Sequence, residues 1–228
     1  MTFNHLVRPF WEKTMAKNPR QKRVNRIVAA GFDFTAAVKT VCEDICYRIP
    51  ELGHIDMDRV AVSFSQTRHS RNYGVFASLT PLRFLDGRAS MEHRGKRWAI
   101  QRYRSLDGFE YYYILYFYLP RFLDMKLSDK LETIIHELYH ISPSFNGDIR
   151  RFEGRCYAHG NSQKEYDMVV HRLMKKWMSQ DPSPEIWEFL RYNHQELTEK
   201  FGTVFGTKIP PPKILPVIEK STRKSNRK

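Results

Sequence analysis

The stretch SDKLETIIHELYHI, residues 128–141, decides how this chain is read. Ser128 is a good N-cap, and Asp129 and Glu132 fall in the first turn, where the helix dipole favours acids. The pattern predicts a helix to about Ile141, which Pro143 prevents from continuing. On a helical wheel Leu131, Ile134, Ile135 and Leu138 form one apolar stripe. His136 and His140 lie on roughly the opposite side, one turn apart. One face packs and the other presents two imidazoles in an H-E-x-x-H pattern. Imidazoles at i and i+4 can bind one Zn²⁺, whose bound water then loses its proton more easily. Glu137, turned aside from the pair, is placed as the base that takes this proton.

A catalytic zinc site needs a third protein ligand and an open position. Downstream acids and histidines are Asp148, Glu153, His159, Glu165 and Asp167. His159 fits best: it lies in a loop just before the next helix, and Gly160 gives the backbone freedom to aim it back. Glu165 is the alternative. His171 falls in the body of the next helix, and His5, His54, His69, His93 and His194 lack metal-like spacing. Cys42 and Cys46, four apart on one predicted helix, read as core residues because no second pair lies near them.

Working outward, a helix is expected from Phe34 to Arg48, with Val38, Val41, Cys42 and Ile45 at helical spacing before Pro50. From Arg59 to Leu119 the texture is that of strands: RVAVSFSQ, YGVFASLTPLRF, RWAIQRYR and FEYYYILYFYL. Asp107-Gly108 between the last two is a hairpin signal, so the centre predicts an antiparallel meander. The Tyr-rich fourth run suits a half-buried strand with polar tips. After the long loop at 142–161, Ser162 to Glu165 is a capping box for a helix reaching Met178. A last helix is expected from Pro184 past Asn193, and Pro210-Pro211-Pro212 marks an exit. The fold class is therefore α+β: a small antiparallel sheet with a helix carrying H-E-x-x-H and further C-terminal helices.

The net charge of +13 is unevenly spread. Residues 1–26 and 208–228 each carry +6, leaving a nearly neutral body at 27–207. Three segments are thus expected: a basic N-terminal arm, a catalytic domain and a basic, proline-containing tail. The arms would attract nucleic acid non-specifically. Hydrophobic content of 41 % and charged content of 28 % exclude a wholly disordered chain, a collagen and a coiled coil. The longest apolar run, Tyr111–Leu119, is too short for a spanning helix, so no membrane partner is expected. Three cysteines and no signal-like apolar stretch near the N-terminus point to the cytoplasm.

HELYH followed by GDIRRFEGRCYAHGNSQKEYD resembles a little-characterised prokaryotic family of metallopeptidases and, more generally, zincin-like proteins of the SprT kind. The likeness covers about Val60 to Trp177 and is strongest from Leu131 to Asp167. It implies a zincin-like fold, with His136 and His140 as zinc ligands, Glu137 as catalytic base and His159 in the place of the downstream ligand. Pro143 and Asn146 stand where metzincins need Gly and His, which excludes that class. A glutamate-ligand arrangement would have to use Glu165. No motif fixes the transition-state stabiliser, for which Tyr157 is the first candidate and Arg155 and Tyr166 are others. The expected function is zinc-dependent hydrolysis of a protein or peptide. The alternatives are a nucleic-acid-associated protein with a structural zinc and a regulatory peptidase cleaving one partner.

Overall fold

The computed structural model describes residues 31–67, 74–152 and 163–218. Strand β1, Phe32–Asp33, leads into helix α1, Phe34–Arg48. Strands β2, Val60–Gln66, and β3, Ala77–Pro81, follow, then β4, Ser90–His93, and β5, Lys96–Ile100. Strand β6, Tyr113–Leu119, precedes helices α2, Leu127–Tyr139, and α3, Gln163–Met178. The C-terminal part holds α4, Pro184–Trp187, α5, His194–Phe201, β7, Val204–Phe205, and β8, Ile214–Pro216. The α+β class read from the sequence is what is seen.

The central sheet has the order β2-β6-β3, with β6 parallel to β2 and antiparallel to β3. Successive side chains on a strand point to opposite faces. Tyr113, Leu115 and Phe117 of β6 join Val60, Val62 and Phe64 of β2 in the main core. Val38, Val41 and Ile45 of α1 and Leu131, Ile134, Ile135 and Leu138 of α2 complete it. On the other face Ile114 and Tyr116 pack with Ala61 and Leu82, against Tyr103, Tyr118 and Ile209. Strand β6 is thus covered on both faces, which explains its unbroken apolar and aromatic run. Its tyrosines keep their hydroxyls satisfied: Tyr113 donates to Asp148 O at 2.8 Å and Tyr116 to Pro210 O at 3.1 Å.

The expected antiparallel meander is not what forms. The Asp107-Gly108 turn does close a short antiparallel hairpin, with Ser105 N on Phe109 O and Tyr111 N on Tyr103 O. Beyond Tyr103 the two runs part. Strand β5 instead pairs with β4 through Arg94-Gly95, and with β8 on its other side, in a separate sheet. Arg94 and Gly95 both have positive φ, 53° and 68°, the backbone that a tight two-residue hairpin demands. Arg-Gly carries that turn here without the Asn or Asp that usually announces it. With β5 drawn away, β6 takes the centre between the two other apolar strands, and its pairing with β2 is parallel.

Helix α1 has the predicted bounds, capped by Asp33, whose carboxylate accepts from Ala36 N at 3.0 Å. Helix α2 starts one residue before the expected cap, and Ser128 lies within the first turn, bonded to Asp129. The helix expected past Asn193 is two helices: the chain breaks after Arg191, and Asn193 with Glu196 forms a capping box that starts α5. The tail boundary also moves. Thr207 N bonds Thr35 Oγ1 and Ile209 N bonds Ser63 Oγ, both at 2.9 Å, and β8 pairs with β5. Residues 208–218 therefore belong to the body, not to a free arm. The arm at 1–26 and residues 219–228 lie outside the described residues. Among the described residues no helix is long and apolar enough to cross a membrane.

Lys130 sits in α2 almost fully buried, its ammonium donating to Leu190 O and Tyr192 O, each at 2.8 Å. Burial lowers its pKa to about 8, with Asp124 and Glu196 pulling the other way. An unpaired buried ammonium would cost several kcal/mol, so these carbonyls are what make the position tolerable. The contact ties the start of α2 to the segment before α5.

Candidate metal centre

Side chains four apart on a helix share a face. In α2 this brings His136 Nε2 and His140 Nε2 to 3.1 Å, with the rings nearly perpendicular at 82°. Two nitrogens bonded to one tetrahedral zinc at about 2.0–2.1 Å stand roughly 3.3 Å apart. The pair therefore fits two ligands of a shared ion.

Helix α3 holds the imidazoles from the side. Tyr166, Val170, Leu173 and Trp177 form its buried face. The Tyr166 ring stacks on His140 at 5.2 Å and meets His136 edge-on at 4.8 Å, while its hydroxyl donates to His136 O at 3.1 Å. Burial pushes its phenol far above the usual range, so the ring stays neutral. Tyr166, considered from the sequence as a transition-state stabiliser, packs against both imidazoles, with its hydroxyl given to the His136 carbonyl. Phe152 and Tyr139 extend the aromatic cluster.

The C-terminus of α2 is closed by the chain that follows. Arg150 N donates to His140 O at 2.6 Å, Arg150 Nε donates to Tyr139 O at 2.7 Å, and its guanidinium lies 4.1 Å over the Tyr139 ring. A cation at this end complements the helix dipole. The turn back depends on Gly147, at φ 87°, where a Cβ would come within 2.5 Å of Arg83 Cγ. Asp148, a candidate ligand from the sequence, is committed elsewhere: it accepts from Asp86 N, Ile149 N and Arg151. Burial pushes its carboxyl up, but Arg151 and the two amides outweigh that and hold it below its ordinary range.

Glu137 is only 8 % exposed and points toward β3, where its Oε2 accepts from Leu79 N at 2.8 Å. Burial raises its pKa to about 7, against the pull of the Leu79 amide. A carboxylate poised near neutrality suits proton transfer in both directions. The same shift has a consequence for stability. A carboxyl whose folded pKa lies above its unfolded value, about 4.3, binds more protons folded than unfolded between those values. Stability of the metal-free chain therefore falls as pH rises through that window, and the full cost is present above about pH 7. Glu137→Gln should raise the metal-free melting temperature at pH 8, by about 1–3 kcal/mol of stability, and change it little at pH 4. Thermal unfolding in the presence of chelator at both pH values reads this; an equal shift at the two would dismiss burial of the charge as the cause.

A groove of about 760 Å³ runs beside these groups, lined by Ala77, Thr133, His136, Glu137, Asp167 and Val170 among others. Of the remaining sequence candidates, Glu165 is exposed in the first turn of α3. Asp167 accepts from Gln163 at 2.8 Å, and His171 pairs with Glu132 at 2.6 Å. Cys42 and Cys46 are buried in α1, and burial pushes both thiols up, as befits core residues. His159, Tyr157, Glu153 and Arg155 lie outside the described residues. Among the described residues no group of three His, Cys, Asp or Glu converges on one point. Sequence reasoning missed the Leu79 amide and the buried Lys130. Pro81 was the available hint to the first, since a proline within a strand marks a sheet edge.

No protein-family model matches this chain, no curated protein does, and no solved structure does.

Proposed function

We propose that this chain is a zinc-dependent peptidase with a zincin-like arrangement. The observation that carries the reading is the 3.1 Å approach of His136 Nε2 and His140 Nε2 next to the buried Glu137, with His136 and Glu137 bordering one groove. The resemblance of residues 131–167 to a prokaryotic family of metallopeptidases, and their more general similarity to zincin-like proteins of the SprT kind, supports it, as does a helix bearing H-E-x-x-H that lies beside an antiparallel edge strand. His136, His140 and His159 would hold the ion. The proposal for His159 rests on the sequence and on chain reach. Phe152 and Tyr166 both pack in the aromatic cluster beside the imidazoles, so the connection between them begins and ends near the site. Imidazole ligands with an open position suit zinc, which as a Lewis acid polarises a carbonyl and makes water a better nucleophile.

The protein's own groups do the rest. Glu137 takes the proton of the attacking water and returns it to the departing amine as the peptide bond breaks. Tyr166 fixes both imidazoles, and Arg150 anchors the end of the helix that bears them. The substrate is an extended peptide lying along β3, the antiparallel edge of the central sheet.

The test is hydrolysis of an unfolded protein or a peptide library by the purified full chain. Activity should vanish with a chelator and return on adding zinc. Hydrolysis that survives complete removal of metal, or none in the zinc-loaded chain, would overturn the proposal.

A further inference from the structure

The register of β3 decides which of its backbone groups face outward. Tyr118 N donates to Phe76 O and Leu82 N to Tyr112 O, each at 2.9 Å, so the even-numbered residues exchange bonds with β6. Odd-numbered residues turn their N–H and C=O away from the sheet. Pro81, which has no N–H to offer, belongs to this outward series. Both ends of the series are engaged: Val75 O accepts from Arg121 Nη1 at 2.9 Å, and Arg83 N donates to Gly147 O at 3.0 Å. Between them lie Ala77 and Leu79, and the Leu79 N–H donates to Glu137 Oε2 at 2.8 Å.

We infer that the Leu79 backbone N–H is the positioning group for Glu137, so that the outer edge of β3 divides its work: Ala77 faces the extended substrate while the Leu79 amide holds the base. This rests on the peptidase reading above. A donor carried by a paired strand is fixed in space, unlike a side chain, and a hydrogen bond to a carboxylate is among the stronger kinds. Misplacing a catalytic group by about 1 Å can cost roughly a hundredfold in rate. The groove borders both Ala77 and Glu137, so a peptide pairing with Ala77 runs directly past the carboxylate. At the Leu79 position such a peptide can give its N–H to the Leu79 C=O. Its own carbonyl there finds the strand donor already taken and is left facing the site.

Two measurements test this in the full chain. Amide hydrogen exchange needs no activity: Glu137→Ala should speed exchange at Leu79 by about tenfold or more, while Ser78 and Thr80, bonded to β6, keep their rates. Ester-for-amide replacement, with the α-hydroxy analogue of each residue, then removes one outward N–H at a time; every N–H of the ladder to β6 stays, and only the preceding carbonyl, Ser78 O or Phe76 O, becomes a weaker acceptor, equally in both variants. The ester at Leu79 should lower kcat by about ten- to a hundredfold with KM little changed. The ester at Ala77 should raise KM and spare kcat. In a Glu137→Gln background the Leu79 ester should cost nothing further, because there is no base left to place. Unchanged exchange at Leu79 in Glu137→Ala overturns the inference. So does a Leu79 ester with normal kcat when Glu137→Gln has lost activity, a result that leaves the peptidase reading standing. Full activity in Glu137→Gln, or no hydrolysis by the unmodified chain, instead overturns the peptidase reading and the positioning role with it.

Discussion

Metal analysis of the purified chain should return about one zinc per chain, and His136→Ala or His140→Ala should abolish it. The two imidazoles stand where one ion would be shared, so removing either leaves a shell too open to retain the metal at neutral pH. The expected loss of affinity is on the order of a thousandfold or more, beyond the 10- to 100-fold typical of disturbing an outer partner. His159→Ala should behave like the helix variants and Glu165→Ala should not. The reverse pair of results would move the site to the glutamate-ligand arrangement. Stoichiometric zinc in either helix variant would end the metal reading altogether.

Glu137→Gln should retain fold and zinc and lose peptidase activity by at least about a hundredfold. The amide keeps the shape of the carboxylate, and its oxygen can still accept from Leu79 N, so the structure around it has no reason to move. What it cannot do is receive a proton. Rate and zinc content measured on the same preparation separate the outcomes. Loss of both would make Glu137 a ligand, and full activity would remove it from the chemistry.

Much of this arrangement was legible in the residues. The stripe of Leu131, Ile134, Ile135 and Leu138 fixes which side of α2 is buried, and the bounds of α1 follow from its apolar spacing and Pro50. Strand order was not legible. A run such as Tyr113–Leu119, apolar on both faces, announces burial but not its partners, and its parallel pairing with β2 depends on where the intervening chain goes. The Asp107-Gly108 turn misled because a good turn fixes only the few residues around it. In the site, the imidazole pair follows from helical spacing alone. The Glu137–Leu79 bond does not, since it needs the register of β3 against β6 and the placement of α2 beside that edge. The buried face of α3 offered a missed clue: Tyr166 shares a helical period with Val170, Leu173 and Trp177.

The packing of residues 207–217 bears on the order in which this molecule can assemble as it is synthesised. Thr207 bonds Thr35 across 172 positions, Ile209 bonds Ser63 across 146, and β8 supplies the outer strand of a sheet whose other two members are made more than a hundred residues earlier. Contacts this distant in sequence are slow to form, because the chain between them must first be brought into place. While a ribosome is still translating the helical half, the second face of β6 has no Ile209 or Pro210 to cover it, and Tyr103 and Tyr116 lack the carbonyl that takes their hydroxyls. The nascent chain must therefore hold an incomplete sheet until these late residues leave the exit tunnel. During that interval chaperone binding would have its clearest target in the aromatic face of the central strand.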